Sequence, residues 1–159
     1  MVSTTRSRHL PVDAKIAKVA NEALSSTLLD LMELANQTRH AHWNLRDANF
    51  IAVHKQLDAT LAVAHAAIDQ VAERIRQLGG TVDARSSVVS KESTLPKFPT
   101  GELSAADAIA NLCESLQATS KTMRAGISAV EDEPITADLL TAHCRALEEQ
   151  MWLLDSHLG

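Results

Sequence analysis

Apolar residues recur at steps of three and four through most of this chain, and that spacing predicts four long helices. The first runs from about Asp13 to His40, entered after Pro11, with Val12, Ile16, Val19, Leu24, Leu28, Leu31 and Leu34 among its apolar positions. Asn44 to Ala48 is a short polar break, and Asp47 is the expected N-cap of the second helix. That helix, Asn49 to Leu78, carries a stripe of Phe50, Val53, Leu57, Leu61, Ala64, Ile68, Val71, Ile75 and Leu78, and it ends at Gly79 and Gly80. Residues 81–101 are polar, contain Pro96 and Pro99, and are long enough to carry one short helix. A connection of that length in a compact domain usually crosses something. Ser104 with Asp107 forms a capping pair for a third helix that runs to about Val130. Glu131 to Ile135, with Pro134, breaks the chain again, and Thr136 is the expected cap of a fourth helix ending near His157. No internal repeat or low-complexity segment interrupts this pattern.

Two helical hairpins joined by one long crossover predict an all-α fold, a four-helix bundle of the ferritin type. The expected division is a short tail, residues 1–12, followed by the bundle, residues 13–159. Composition supports helices over sheet: 45% of residues are hydrophobic, only 3% are aromatic, Tyr is absent, and there are 5 Gly and 4 Pro. The formal charge of −5 argues against a body that binds nucleic acid through its bulk charge. Met1 to His9 is polar with no apolar segment behind it, and no uncharged apolar run is long enough for a membrane span. The expectation is a cytoplasmic protein without a leader or membrane partner. Cys113 and Cys144 have no metal-like spacing and are expected to be reduced thiols.

Five residues carry the candidate chemistry: His42, His54, Asp58, Asp69 and Glu73. At about 100° per residue, positions 54, 58, 65, 69 and 73 share one side of the second helix. At about 1.5 Å rise per residue, Asp69 lies roughly 22 Å along the axis from His54. One metal ion, with bonds of about 2 Å, cannot span that distance. Two copies of the helix crossing antiparallel near Val63 and Ala64 would bring His54 and Asp58 of one chain beside Asp69 and Glu73 of the other, forming two identical sites about a two-fold axis. Ala59, Ala62 and Ala66 lie beside these residues and would let another backbone approach closely. Imidazole with carboxylate suits Fe(II), Mn(II) or Zn(II), and His42 can join from the end of the first helix. The same residues also fit a solvated helix face of i,i+4 pairs, and periodicity leaves both readings open.

The run His42-Trp43-Asn44, then Asn49-Phe50, His54, Asp58, Asp69 and Ala72-Glu73-Arg74, closing at Leu78-Gly79, resembles the signature of the Dps family, the mini-ferritins named as DNA-binding proteins from starved cells. The resemblance covers about forty consecutive residues, with weaker similarity from the first helix to Trp152. It implies a hollow homo-dodecamer with 23 symmetry and a ferroxidase centre at each two-fold interface. His42, His54 and Asp58 match the ligands from one subunit, and Asp69 and Glu73 those from its partner. It further implies two iron ions per site, oxidation of Fe(II) with a preference for hydrogen peroxide over dioxygen, storage of ferric mineral, and protection of DNA from oxidative damage. Trp43 matches a family tryptophan beside the centre that intercepts stray oxidising equivalents; a packed aromatic at a helix end is the competing explanation. Two further readings stay open: an architectural DNA-compacting protein with a vestigial metal site, and a helical interaction module without metal.

The chain departs from the family pattern at Asp47, where many members have glycine, and at His65, which lies on the ligand face near the proposed crossing point. Glu131, Asp132, Glu133 and Asp138 cluster where family members place the acids of the three-fold iron pores, although acids also favour helix N-termini for ordinary reasons. Arg6, Arg8, Lys15 and Lys18 are the candidate DNA contacts, and association with the nucleoid would follow from them. Twelve copies would multiply a weak contact by avidity.

Overall fold

A computed structural model describes residues 10–158 of the chain; the tail candidates Arg6 and Arg8 lie outside the described residues. Five helices follow in order: α1 (Ala14–Asn44), α2 (Phe50–Gln77), α3 (Ser86–Glu92), α4 (Ala105–Ala129) and α5 (Pro134–Asp155). α1 packs on α2, α2 on α5, α5 on α4 and α4 on α1, which closes a four-helix ring, while the short α3 leans on α1. The all-α ferritin-like bundle with one helix in its crossover is therefore the fold. Leu24, Leu31, Leu34, Leu57, Ile75, Ile109, Leu112, Leu116, Leu140 and Leu147 fill its interior. Of the stripe expected on α2, Val53, Leu57, Leu61, Ala64, Val71, Ile75 and Leu78 are buried, and Phe50 and Ile68 are half-buried. Val19, expected on the apolar side of α1, is exposed.

The helix ends differ from expectation in three places. α1 continues a full turn past His40 to Asn44, whose side-chain amide donates to the His40 carbonyl at 2.8 Å, so His42 and Trp43 are helical residues. The N-cap of α2 is Asn49 rather than Asp47, and no side chain caps it. Pro134 does not break the chain but opens α5, because its missing N–H would lack an intrahelical partner there anyway. Glu133 is the cap, accepting from the Thr136 amide at 2.7 Å, and Thr136 lies inside the helix. The other termini form as expected. Ser104 caps α4 through the Asp107 amide, and Gly79 closes the end of α2 at φ +79°, a left-handed value that favours glycine.

The crossover is tied to α1 along the length of the bundle. The Asn21 amide donates to the Leu78 carbonyl at one end. Buried Asp30 then accepts from the Ser93 hydroxyl, the Thr94 amide and hydroxyl, and the Thr122 hydroxyl of α4, at 2.7–2.9 Å. Next, the Gln37 amide donates to the Pro96 carbonyl, and its oxygen accepts from the Ser115 hydroxyl. At the far end Leu45 and Leu103 pair as an isolated parallel bridge. The order 21, 30, 37, 45 on α1 against 78, 93, 96, 103 on the crossover shows that the connection runs antiparallel to α2. It delivers the start of α4 beside the α1–α2 turn.

A buried ion pair pins the opposite end. The Arg74 guanidinium lies 3.1 Å from Glu133, with side-chain exposures of 10% and 2%, and Arg74 Nε donates to the Thr136 hydroxyl. Burial pushes the Glu133 carboxyl up, but hydrogen bonds from Thr136 and Arg74, together with the Arg74 charge, outweigh it and hold the group below its ordinary value. A depressed folded pKa stabilises the fold at pH above the ordinary glutamate range, and that contribution is lost as pH falls through the folded value. Glu133→Gln should therefore cost about 3 kcal/mol at neutral pH, as breaking a buried pair does. The gap from the unsubstituted protein should narrow on acidification. Denaturant midpoints across a pH series check this, and a gap independent of pH would contradict it.

Candidate metal centre

The last turn of α1 and the first three turns of α2 meet at one corner of the bundle. There His42, His54 and Asp58 each offer a donor atom, and these atoms lie within 4.8 Å of one another. The two imidazoles stack at 3.7 Å between centroids with a 26° tilt, and Phe50 packs against His54 at 4.7 Å. His42 is nearly buried, with 11% of its side chain exposed, whereas Asp58 stands at the open edge.

The polar atoms at this corner are not satisfied by the protein. His42 Nε2 lies 3.0 Å from Asp58 Oδ1, yet neither His42 nitrogen has an aligned hydrogen-bond partner, and His54 Nδ1 is likewise buried and unpaired. Buried polar groups are otherwise nearly always paired, and an orphan costs about 1–3 kcal/mol. A divalent cation accepting imidazole lone pairs and a carboxylate oxygen would remove that cost. The donors are nitrogen and oxygen, without thiolate, which suits iron or manganese better than a closed structural zinc site. The residues present fit a metal ion.

Asp69 and Glu73 are exposed on α2 and do not join this group within the subunit. The helical rise keeps them roughly 20 Å or more from His54. Ala59, Ala62, His65 and Ala66 are exposed on the same helix, so α2 presents a second face of small and polar residues that its own bundle leaves uncovered. Trp43 is 74% exposed with the Arg39 guanidinium 5.9 Å from its ring centre. It is not the packed aromatic that one reading expected, at least within the subunit.

The acids at the α4–α5 turn divide. Glu131, Asp132 and Asp138 are exposed, whereas Glu133 is buried against Arg74 and unavailable to a pore. Lys15 and Lys18 lie exposed at the start of α1, Lys18 in a loose surface pair with Glu22. Cys113 and Cys144 are free thiols, both pushed up in pKa chiefly by burial, which disfavours the reactive thiolate. No helix among the described residues is long and apolar enough to cross a membrane.

Sequence reasoning missed the contacts that hold the corner in place. Asp47 is not the cap of α2: its carboxylate accepts from the Asn49 amide and from the Ala105 amide of α4. Those two amides hold its carboxyl below the ordinary range. The only sequence signal of Asp30 is its place as one acid between Leu29 and Leu31 in an apolar run.

A sequence model of the ferritin-like domain matches residues 21–159. The chain is 35% identical over 153 residues to a DNA protection during starvation protein of Agrobacterium fabrum, covering 94% of this chain and 92% of that one. Its fold is similar to that of Dps from Microbacterium arborescens in the high iron form, with a TM-score of 0.90 at 28% identity, covering 94% of this chain and 99% of the other. Dps from Mycobacterium smegmatis gives a TM-score of 0.91 at 27% identity, covering 98% and 94%. On this sequence match, this bundle and this corner of histidines and acid, the chain belongs to the Dps family of ferritin-like proteins.

Proposed function

We propose that this protein is a ferroxidase and iron store that oxidises Fe(II), preferentially with hydrogen peroxide, and keeps the ferric product inside a homo-dodecamer of 23 symmetry. The observation that carries the proposal is the convergence of unpaired, buried imidazole nitrogens of His42 and His54 with the Asp58 carboxylate at an open edge. Such a corner is half a coordination sphere. Asp69 and Glu73 of the partner subunit would supply the other half across a two-fold axis, and the exposed alanines of α2 leave room for that close approach.

Iron is the substrate here, and two ions occupy each site. Asp58 and the partner's Glu73 hold the ions through carboxylate oxygens, His42 and His54 complete their shells, and Asp69 adds a ligand or orients one through water. Hydrogen peroxide takes one electron from each of two Fe(II) ions. Its O–O bond breaks, and both oxygen atoms leave as hydroxide or oxide of the ferric product, so no single-electron step releases hydroxyl radical. Trp43, adjacent in sequence to His42, would quench an oxidising equivalent that escapes. Glu131, Asp132 and Asp138 line the iron entry at the three-fold axes. DNA contact, where it occurs, runs through the N-terminal segment with Lys15 and Lys18, and the protein is cytoplasmic, joining the nucleoid when bound. This assignment protects DNA by consuming peroxide and free Fe(II) together.

His42→Ala combined with His54→Ala should leave the assembly intact on a sizing column and slow peroxide-driven Fe(II) oxidation at least about tenfold, since loss of mere outer-shell partners already costs that much. Unchanged kinetics in this variant would sink the site assignment. Gel retardation of DNA at low salt should weaken steeply as salt rises and should weaken when residues 1–10 are removed. Full retention after truncation would place the contact elsewhere.

A further inference from the structure

The turn between α1 and α2 sets how His42 faces His54 and Asp58, and one side chain fixes that turn from two directions. Asp47 Oδ1 accepts from the Asn49 amide at 3.1 Å, inside the turn. Its Oδ2 accepts from the Ala105 amide at 3.2 Å, on the first residue of α4 and 58 positions away in sequence. The Ala105 amide is one of the first-turn donors that no carbonyl within the helix can satisfy. The Asp47 carbonyl in turn accepts from the Phe50 amide at 3.1 Å. The chain just before it is held by the Arg46 amide to the Leu103 carbonyl and the Leu103 amide to the Asn44 carbonyl, at 2.8 and 2.9 Å.

From this turn a continuous path of contacts reaches the metal corner. Phe50 is the first residue of α2, so the turn places its ring directly. That ring packs on His54, and His54 stacks on His42. His42 sits two residues before Asn44, whose carbonyl the crossover holds. Both halves of the histidine stack are thus referred to the start of α4 through the 44–50 turn. Asp47 ties that turn to α4 with one carboxylate oxygen, which accepts from the Ala105 amide, while its other oxygen accepts from the Asn49 amide within the turn. It is not itself a member of the donor group formed by His42, His54 and Asp58.

We propose that Asp47 is a positioning residue of the metal centre, clamping the α1–α2 turn to α4 so that the His42 and His54 rings are held at ligating separation before metal arrives. This rests on the metal-site reading above. Preorganised ligands bind more tightly because the protein does not have to order them on binding.

The test is Co(II) binding to the assembled protein, followed by visible absorption, with thermal unfolding measured in parallel. Asp47→Ala removes both bonds and should raise the Co(II) dissociation constant roughly five- to tenfold, in line with the loss of one good cap. Asp47→Asn keeps one acceptor oxygen and should lie between the two. Arg46→Ala loses the exposed Arg46–Glu102 pair on the same turn and should bind Co(II) as the unsubstituted protein does. With Fe(II) and peroxide, Asp47→Ala should raise KM for Fe(II) while kcat at saturating iron stays within about twofold. A lower melting temperature with unaltered Co(II) affinity would overturn the proposal, leaving Asp47 as a staple of the bundle alone. If Asp47→Ala fails to assemble, unaltered Co(II) affinity in Asp47→Asn would overturn it equally. A Co(II) band that His42→Ala abolishes and Asp47→Ala leaves alone would sink only the role of Asp47. The absence of any band sensitive to His42→Ala would sink the metal site and this inference together.

Discussion

The rise of an α-helix, about 1.5 Å per residue, is the constraint on which the site depends. It separates His54 and Asp58 from Asp69 and Glu73 by more than any metal ion can bridge, although all four share one side of α2. A single subunit therefore brings together only His42, His54 and Asp58 of the five candidate residues. The same helix answers the problem it creates, because its second face is left uncovered and is built of small residues. Under the proposed function, site and assembly become one question, since a centre completed by a partner would not work in an isolated subunit.

Within the subunit, the packing that matters most for function lies at one end. The crossover is bound to α1 at Asn21, Asp30, Gln37 and Leu45, and it brings α4 to rest beside the α1–α2 turn. His42 and His54 are presented by two different helices, so their relation is only as fixed as the turn between them. The unpaired nitrogens of those rings show that the fold accepts a local cost at this corner. Consistent local choices elsewhere, such as the Ser104 cap and the glycine at the end of α2, make that cost tolerable.

Much of this was legible in the sequence because helices write themselves as a period. The apolar stripe of α2, the Ser104 and Asp107 pair and the glycines after Leu78 all predicted elements that formed. His42, His54 and Asp58 were legible as a candidate group because spacing and family signature agreed, and the three residues do converge. What failed was chemistry that acts over long sequence distance. Asp47 reads as a local cap, since nothing in the sequence shows that Ala105 will arrive beside it. Glu133 reads as one more acid in a charged run, and only the fold reveals Arg74 opposite it. Pro134 reads as a break because a proline inside a helix and a proline opening one look alike until the cap before it is known.

The most direct test of the central claim, that the metal centre is shared between subunits, is anomalous diffraction at the iron edge from crystals of the assembled protein loaded with Fe(II) without oxidant. Metal density is expected between His42, His54 and Asp58 of one subunit and Asp69 and Glu73 of the partner subunit. Metal held by one chain alone, or density only at the acids near the α4–α5 turn, would contradict it.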